Sequence, residues 1–144
     1  MTSSRGDDPV TSGVRLLLVD PHARMRAVLS SVLSNEPGIA IVAGVGTLDE
    51  ALAMVRRHRP HVALVDLGVF GDLGVAGLGQ LRAARAQMAI LAMTVVDNPA
   101  IERAAVRHGA VGRVLKDSPP AELATAVRNA AARARTLRVV PPQE

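Results

Sequence analysis

Cysteine, tryptophan and tyrosine are absent from the 144 residues, and Phe70 is the single aromatic side chain. Without cysteine there is no disulfide, thiolate metal site or cysteine nucleophile, which suits a reducing compartment. The lack of aromatics removes the stacking platform that a flavin or a single nucleic-acid strand would use. No apolar run approaches the ~20 residues of a membrane-spanning helix, and the start, MTSSRGDDPVTSG, has no apolar core of a secretory signal. A soluble cytoplasmic protein is expected. Lysine is also scarce: of 17 Lys plus Arg residues, only Lys116 is lysine. Glycine fingerprints for phosphate are missing too. The first strand-to-helix turn is Asp20-Pro21-His22, and the glycines between Gly71 and Gly79 have no following P-loop lysine.

What is present is a regular alternation. Apolar runs at Arg15–Val19, Ile39–Val45, His61–Val65, Met88–Met93 and Val111–Leu115 read as strands buried in a parallel sheet. Between them lie amphipathic stretches with start signals. Asp20-Pro21 serves as N-cap and first residue of a helix running to Ser34, with Met25, Val28, Leu29, Val32 and Leu33 along its apolar stripe. Thr47 and Glu50 form a capping box for a helix ending near His58, before Pro60. The glycines from Gly68 to Gly79 predict a loose loop and a late, weak helix ending near Arg85. Asn98-Pro99 opens a helix that closes at His108-Gly109, and Ser118-Pro119 opens the last, carrying Leu123, Ala126, Val127 and Ala130. Five strands alternating with five helices make an α/β domain with a doubly wound parallel sheet. The expected organisation is a flexible leader at 1–13, one domain at 14–135 and a tail at 136–144.

The formal charge of +4 comes from arginine scattered along the chain. Arg128, Arg133, Arg135 and Arg138 alone concentrate in an acid-free segment, which reads as a solvated helix face in preference to a nucleic-acid contact.

In such sheets the functional crevice lies at the carboxyl ends of the strands. The residues following four of the expected strands are Asp20, Asp66, Thr94 and Lys116, so two carboxylates, a hydroxyl and an amine gather on one rim. Asp66, in VALVDL, is the centre of this set, and capping of a local loop is its bland alternative. Lysine suits a point contact with phosphate where arginine offers a planar fork, so the single Lys116 at a strand end carries information.

On these residues the chain, from about Val14 to Ala132, resembles the receiver domain of two-component response regulators, of the kind joined to a LuxR/NarL-type helix-turn-helix output. The resemblance implies a CheY-like (βα)5 three-layer sandwich with strand order 2-1-3-4-5. It implies that Asp66 is the phosphoacceptor, that Thr94 and Lys116 contact the phosphoryl oxygens, and that Mg²⁺ is held by Asp20, Asp66 and the Gly68 carbonyl. Partners implied are a sensor histidine kinase and a second copy of the chain, with signalling through the face of the fourth helix, fifth strand and fifth helix. Enzymatic turnover is not expected beyond the domain's own phosphoryl transfer and dephosphorylation, and DNA binding would belong to another domain.

Several positions depart from the family pattern. Pro21 stands where the second acid of the family's metal-binding pair is expected, which weakens Mg²⁺ binding. Arg113 replaces the usual switch aromatic paired with Thr94, and Val95 is bulkier than the usual small residue. Phe70 stands near where most receivers have proline and reads as an exposed loop anchor or partner contact. His22 reads as a solvated histidine. These departures favour an alternative: an atypical receiver that regulates through protein or ligand contacts without phosphate. A flavodoxin-like enzyme or nucleotide binder on the same strand ends lacks any supporting motif.

Overall fold

The structure, a computed structural model, describes residues 13–139, with side chains through residue 134. All but Gly13 of the expected leader and residues 140–144 of the tail lie outside the described residues.

Five strands form one parallel sheet in the order β2-β1-β3-β4-β5. They are β1 (Val14–Val19), β2 (Ile39–Val45), β3 (Val62–Asp66), β4 (Ala89–Thr94) and β5 (Ala110–Leu115). The helices are α1 (Ala23–Ser34), α2 (Leu48–His58), α3 (Leu78–Ala84), α4 (Pro99–Arg107) and α5 (Pro120–Val139). Successive side chains of a strand point to opposite faces, and β1 shows the consequence. Leu16 and Leu18 pack with Leu29, Leu33, Leu123 and Val127 of α1 and α5. Leu17 and Val19 pack with Ala51, Val55, Leu78 and Ala105 on the other face. Because both faces are covered, β3 and β4 carry no polar residue until they end. In β3 that end is Asp66, paired in register with Met93, and in β4 it is Thr94, paired with Leu115.

Local signals explain most boundaries. The Thr47 hydroxyl accepts from the Glu50 N–H, and the Glu50 carboxylate accepts from the Gly46 N–H, so the capping pair closes one residue earlier than the ideal box. Asn98 accepts from the Ala100 N–H with Pro99 at the first helical position. α2 ends on Arg59, the only described non-glycine residue with positive φ, at 47°.

Four expectations need correction. α1 starts at Ala23 with His22 as N-cap, two residues later than Asp20-Pro21 predicts, because the Asp20 carboxylate is drawn inward and accepts from the His22 N–H. On α1, Leu29 and Leu33 are buried, whereas Met25 and Val28 face solvent. The glycine-rich stretch Leu67–Gly77 is not a loose loop: it forms 3-10 turns interrupted at Gly71 and Gly74, both with positive φ. Its anchor is Phe70, buried at 5% exposure and lying against Gly77, where any Cβ would run into the aromatic ring. Phe70 is therefore core, and its expected role as an exposed anchor or partner contact does not hold.

Candidate functional site: a buried carboxylate pair bridged by lysine

The buried polar or charged residues among those described are Asp20, Asp66, Thr94 and Lys116. They are the four strand-end residues, and the parallel sheet is what brings them together across as many as 96 positions of sequence. β1 and β3 are neighbours, so Asp20 and Asp66 emerge side by side. β4 pairs with β5, and the Lys116 N–H donates to the Thr94 carbonyl at 2.7 Å, carrying the lysine over the same end of the sheet.

The Lys116 ammonium stands between the two carboxylates. Nζ lies 2.5 Å from Asp66 Oδ2 and 3.0 and 2.8 Å from Asp20 Oδ1 and Oδ2. Burial by itself lowers an ammonium's pKa, but the hydrogen bonds to Asp20 and Asp66, with their charges, outweigh it and hold Lys116 above the ordinary lysine value. One lysine balances one of two carboxylates, so the pocket keeps an excess of negative charge. Asp20 Oδ2, although close to Nζ, is a buried oxygen without a hydrogen bond in good geometry. Asp66 Oδ1 accepts from the Gly68 N–H at 2.7 Å, which fixes the carboxylate plane and leaves Oδ2 facing the lysine.

His22 was not singled out as functional by sequence, yet its Nδ1 lies 3.1 Å from Asp20 Oδ1, 3.2 Å from Lys116 Nζ and 3.9 Å from Asp66 Oδ2. The signal was its spacing: two residues beyond Asp20, across a proline, the chain folds back on the carboxylate. Arg26 is a second residue missed by sequence. Its guanidinium donates to the Asp20 carbonyl at 2.6 Å and braces the end of β1.

Asp20, His22 and Asp66 each offer a ligand atom within 4.8 Å of the others, and Asp20 Oδ2, ion-paired to Lys116 but without a hydrogen bond, adds a buried oxygen, so the set fits a divalent cation. Pro21 is exposed and offers no donor, so the set has two carboxylates and an imidazole, fewer hard oxygens than Mg²⁺ prefers. Gly68 enters the site through its N–H.

Two expected residues point elsewhere. The Thr94 hydroxyl donates to the Val96 carbonyl at 2.9 Å, in the loop ahead of α4. Arg113 lies on β5 with its guanidinium bridging Asp97 and Glu102 at 3.1 and 3.2 Å. Val95 is 74% exposed and borders a small cavity with Met25, Lys116 and Asp117.

Comparison with known proteins gives this geometry its context. The family model for the response regulator receiver domain matches residues 16–128. The nitrate/nitrite response regulator protein NarP of Escherichia coli is 32% identical over 120 residues, 83% of this chain and 56% of the relative. The probable transcriptional regulatory protein NarL of Mycobacterium tuberculosis is 30% identical over 86% of this chain and 57% of its own. The chain thus spans about half the length of the curated relatives it matches. The solved signal receiver domain of the Mycobacterium tuberculosis NarL superposes with a TM-score of 0.76 at 29% identity, covering 83% of this chain and 97% of that one. A LuxR-family two-component response regulator from Aurantimonas superposes with a TM-score of 0.77 at 30% identity, covering 84% and 86%. With five parallel strands in the order 2-1-3-4-5 and an acidic pocket at their carboxyl ends, the chain belongs to the family of response regulator receiver domains.

Proposed function

We propose that this receiver domain accepts a phosphoryl group on Asp66. The observation that supports it is that the buried polar and charged residues among those described are the four strand-end groups, with the lysine ammonium 2.5 Å from the candidate nucleophile. Burying a carboxylate pair with a single lysine costs stability, and clusters that carry such a cost concentrate at functional sites. In the reaction, an Asp66 oxygen attacks phosphorus and an O–P bond forms. The donor's bond to phosphorus breaks, and its electron pair leaves with the donor. Lys116 then pairs with a phosphoryl oxygen in place of part of its contact with Asp66, so positive charge is already positioned where negative charge accumulates. Thr94 would exchange its bond to the Val96 carbonyl for one to a second phosphoryl oxygen, which couples phosphorylation to the loop leading into α4.

A divalent cation, Mg²⁺ in the family, would be held by Asp20 and Asp66 and supply charge neutralisation for the transferring group. The proline at position 21 weakens that contribution. The donor would be a sensor kinase or a small acyl phosphate, and the output face would be α4, β5 and α5, in a monomer or a homodimer. Incubation with a small acyl phosphate, then borohydride, which reduces an aspartyl phosphate to homoserine, tests the assignment. Peptide mass spectrometry should find homoserine at position 66; its absence there, with donor and Mg²⁺ in excess, rejects the reading.

A second reading is favoured by Arg113. Its two ion pairs tie β5 to Asp97 and to Glu102 of α4, where the family keeps a mobile aromatic. On that reading the domain works as a phosphate-independent module whose α4 position is set by partner contact. Retention of partner binding or dimer formation in Asp66→Ala, unaltered by phosphodonor, would distinguish it.

A further inference from the structure

With cysteine absent, nitrogen ligands for a metal ion come from four histidines. His58 closes α2, His108 follows α4 and His61 precedes β3, all at the amino ends of the strands. His22 alone stands at the carboxyl ends, two residues beyond Asp20, where it joins Asp20 and Asp66. Its Nδ1 lies 3.1 Å from Asp20 Oδ1 and 3.9 Å from Asp66 Oδ2. Two ligands on one ion, with bonds of about 2.0–2.2 Å, stand no more than about 4.4 Å apart, so both separations fall within reach of a shared ion.

The same atoms converge on Lys116. Its Nζ lies 2.5 Å from Asp66 Oδ2, 2.8 Å from Asp20 Oδ2 and 3.2 Å from His22 Nδ1, so the ammonium stands among the ligand atoms as one positive charge against two carboxylates. Asp20 is fully buried, and its Oδ2 has that ion pair but no hydrogen bond. A divalent ion balances both buried carboxylates, which one ammonium does not. Beside the ammonium, a cavity of about 150 Å³ lined by Met25, Val95, Lys116 and Asp117 gives the lysine side chain room to withdraw beside an exposed acid.

We infer that His22 turns this pocket into a site for a borderline first-row ion of the zinc class, bound through His22 Nδ1 and the Asp20 and Asp66 carboxylates in exchange for their contact with Lys116. Imidazole suits zinc, copper and nickel, whereas Mg²⁺ demands a near-octahedral set of oxygens, to which Pro21 contributes no side-chain atom. One nitrogen and two carboxylates, with water in the fourth place, make the ligand count of an open zinc site. The His22 side chain is 66% exposed, so an ion reaches the nitrogen from solvent without opening the core. The inference rests on the reading of this pocket as the phosphoryl-transfer site and names its cation; binding is measured without phosphodonor, which separates the two.

Calorimetric titration of the whole chain with Zn²⁺ and, separately, with Mg²⁺ tests this, and imidazole resonances locate the Zn²⁺. One saturable Zn²⁺ site is expected, with the His22 ring shifting. His22→Gln should weaken Zn²⁺ by at least about tenfold, since losing a ligand costs no less than losing a ligand's outer partner, and should leave Mg²⁺ affinity unchanged. The His22 side chain makes no capping hydrogen bond to α1, so the melting temperature should hold and weaker binding cannot be ascribed to unfolding. His108→Gln, at the other end of the strands, should bind Zn²⁺ as the wild type does. Lys116→Met removes the competing ammonium, so Zn²⁺ should raise its melting temperature by more than it raises that of the wild type. Unchanged Zn²⁺ affinity in His22→Gln, an equal loss of Mg²⁺ affinity there, or an equal loss of Zn²⁺ in His108→Gln would overturn the inference. Equal thermal shifts in Lys116→Met and wild type would overturn the exchange with lysine. Zn²⁺ binding without homoserine at position 66 would reject the phosphoacceptor reading alone.

Discussion

Lys116 Nζ lies 2.5 Å from Asp66 Oδ2 while remaining within 3.0 Å of both oxygens of Asp20, so a single ammonium holds together two strand ends that carry like charge. The two partners are not equivalent. Lys116→Met leaves two buried carboxylates facing each other and should cost about 3–5 kcal/mol. Asp66→Asn leaves a balanced Asp20–Lys116 pair and should be neutral or stabilising. Urea unfolding of the two variants checks the asymmetry; equal losses would mean that the lysine is not the tie.

Lys116 is the only lysine, and tyrosine and cysteine are absent, so almost nothing else titrates near pH 10.5. Its pKa is raised in the folded chain, which makes its contribution to stability fully present below about pH 10.5, the unfolded value. That contribution is lost as pH climbs through the higher folded value. The stability gap between wild type and Lys116→Met should therefore be flat through neutral and mildly alkaline pH and narrow only above about 10.5. A gap that closes below pH 9 or so would contradict the raised pKa.

Gly77 and Gly79 sit two residues apart but face different surroundings. A methyl group at Gly77 meets the Phe70 ring, whereas at Gly79, inside α3, it meets open space. Gly77→Ala should destabilise by about 1–3 kcal/mol through overpacking. Gly79→Ala should stabilise by up to about 1 kcal/mol through helix propensity. Denaturant midpoints of both decide it, and a harmless Gly77→Ala would show that Phe70 does not anchor the segment.

Arg113→Ala removes the link from β5 to Asp97 and Glu102. Both acids are more than 40% exposed, so the stability loss should be about 1 kcal/mol or less. The informative readout is hydrogen exchange, which should accelerate in α4 and the loop before it and be unchanged in α1. Unchanged protection of α4 would remove the tether from the second reading.

How far the sequence foretold this structure depended on whether a signal was local or spatial. Strand ends were legible where a strand buried on both faces is written as an unbroken apolar run that stops at its first polar residue, as at Asp66 and Thr94. Caps were legible where the side chain serves its own helix, as at Asn98. Asp20 misled because the same Asp-Pro that caps helices is here drawn into a charge pair with Lys116, and long-range charge outweighed the local cap. Phe70 misled because its partner is the space left by Gly77, which composition read only as flexibility. His22 left only its spacing from Asp20 as a signal and Arg26 left none, since both reach Asp20 through the turn that follows β1.

Pro21 lies close to Gly68, where a glycine Cβ would be 3.8 Å from the proline ring, so the missing second acid borders the Asp66 pocket. The most direct test is an intact-mass time course with a small phosphodonor, with and without Mg²⁺, on wild type, Asp66→Ala and Pro21→Asp. The expected result is addition of one phosphoryl group to the wild type, slow and weakly dependent on Mg²⁺, none in Asp66→Ala, and faster, Mg²⁺-dependent addition in Pro21→Asp. Equal modification of wild type and Asp66→Ala, or none in wild type and Pro21→Asp alike, would contradict the assignment of Asp66 as phosphoacceptor.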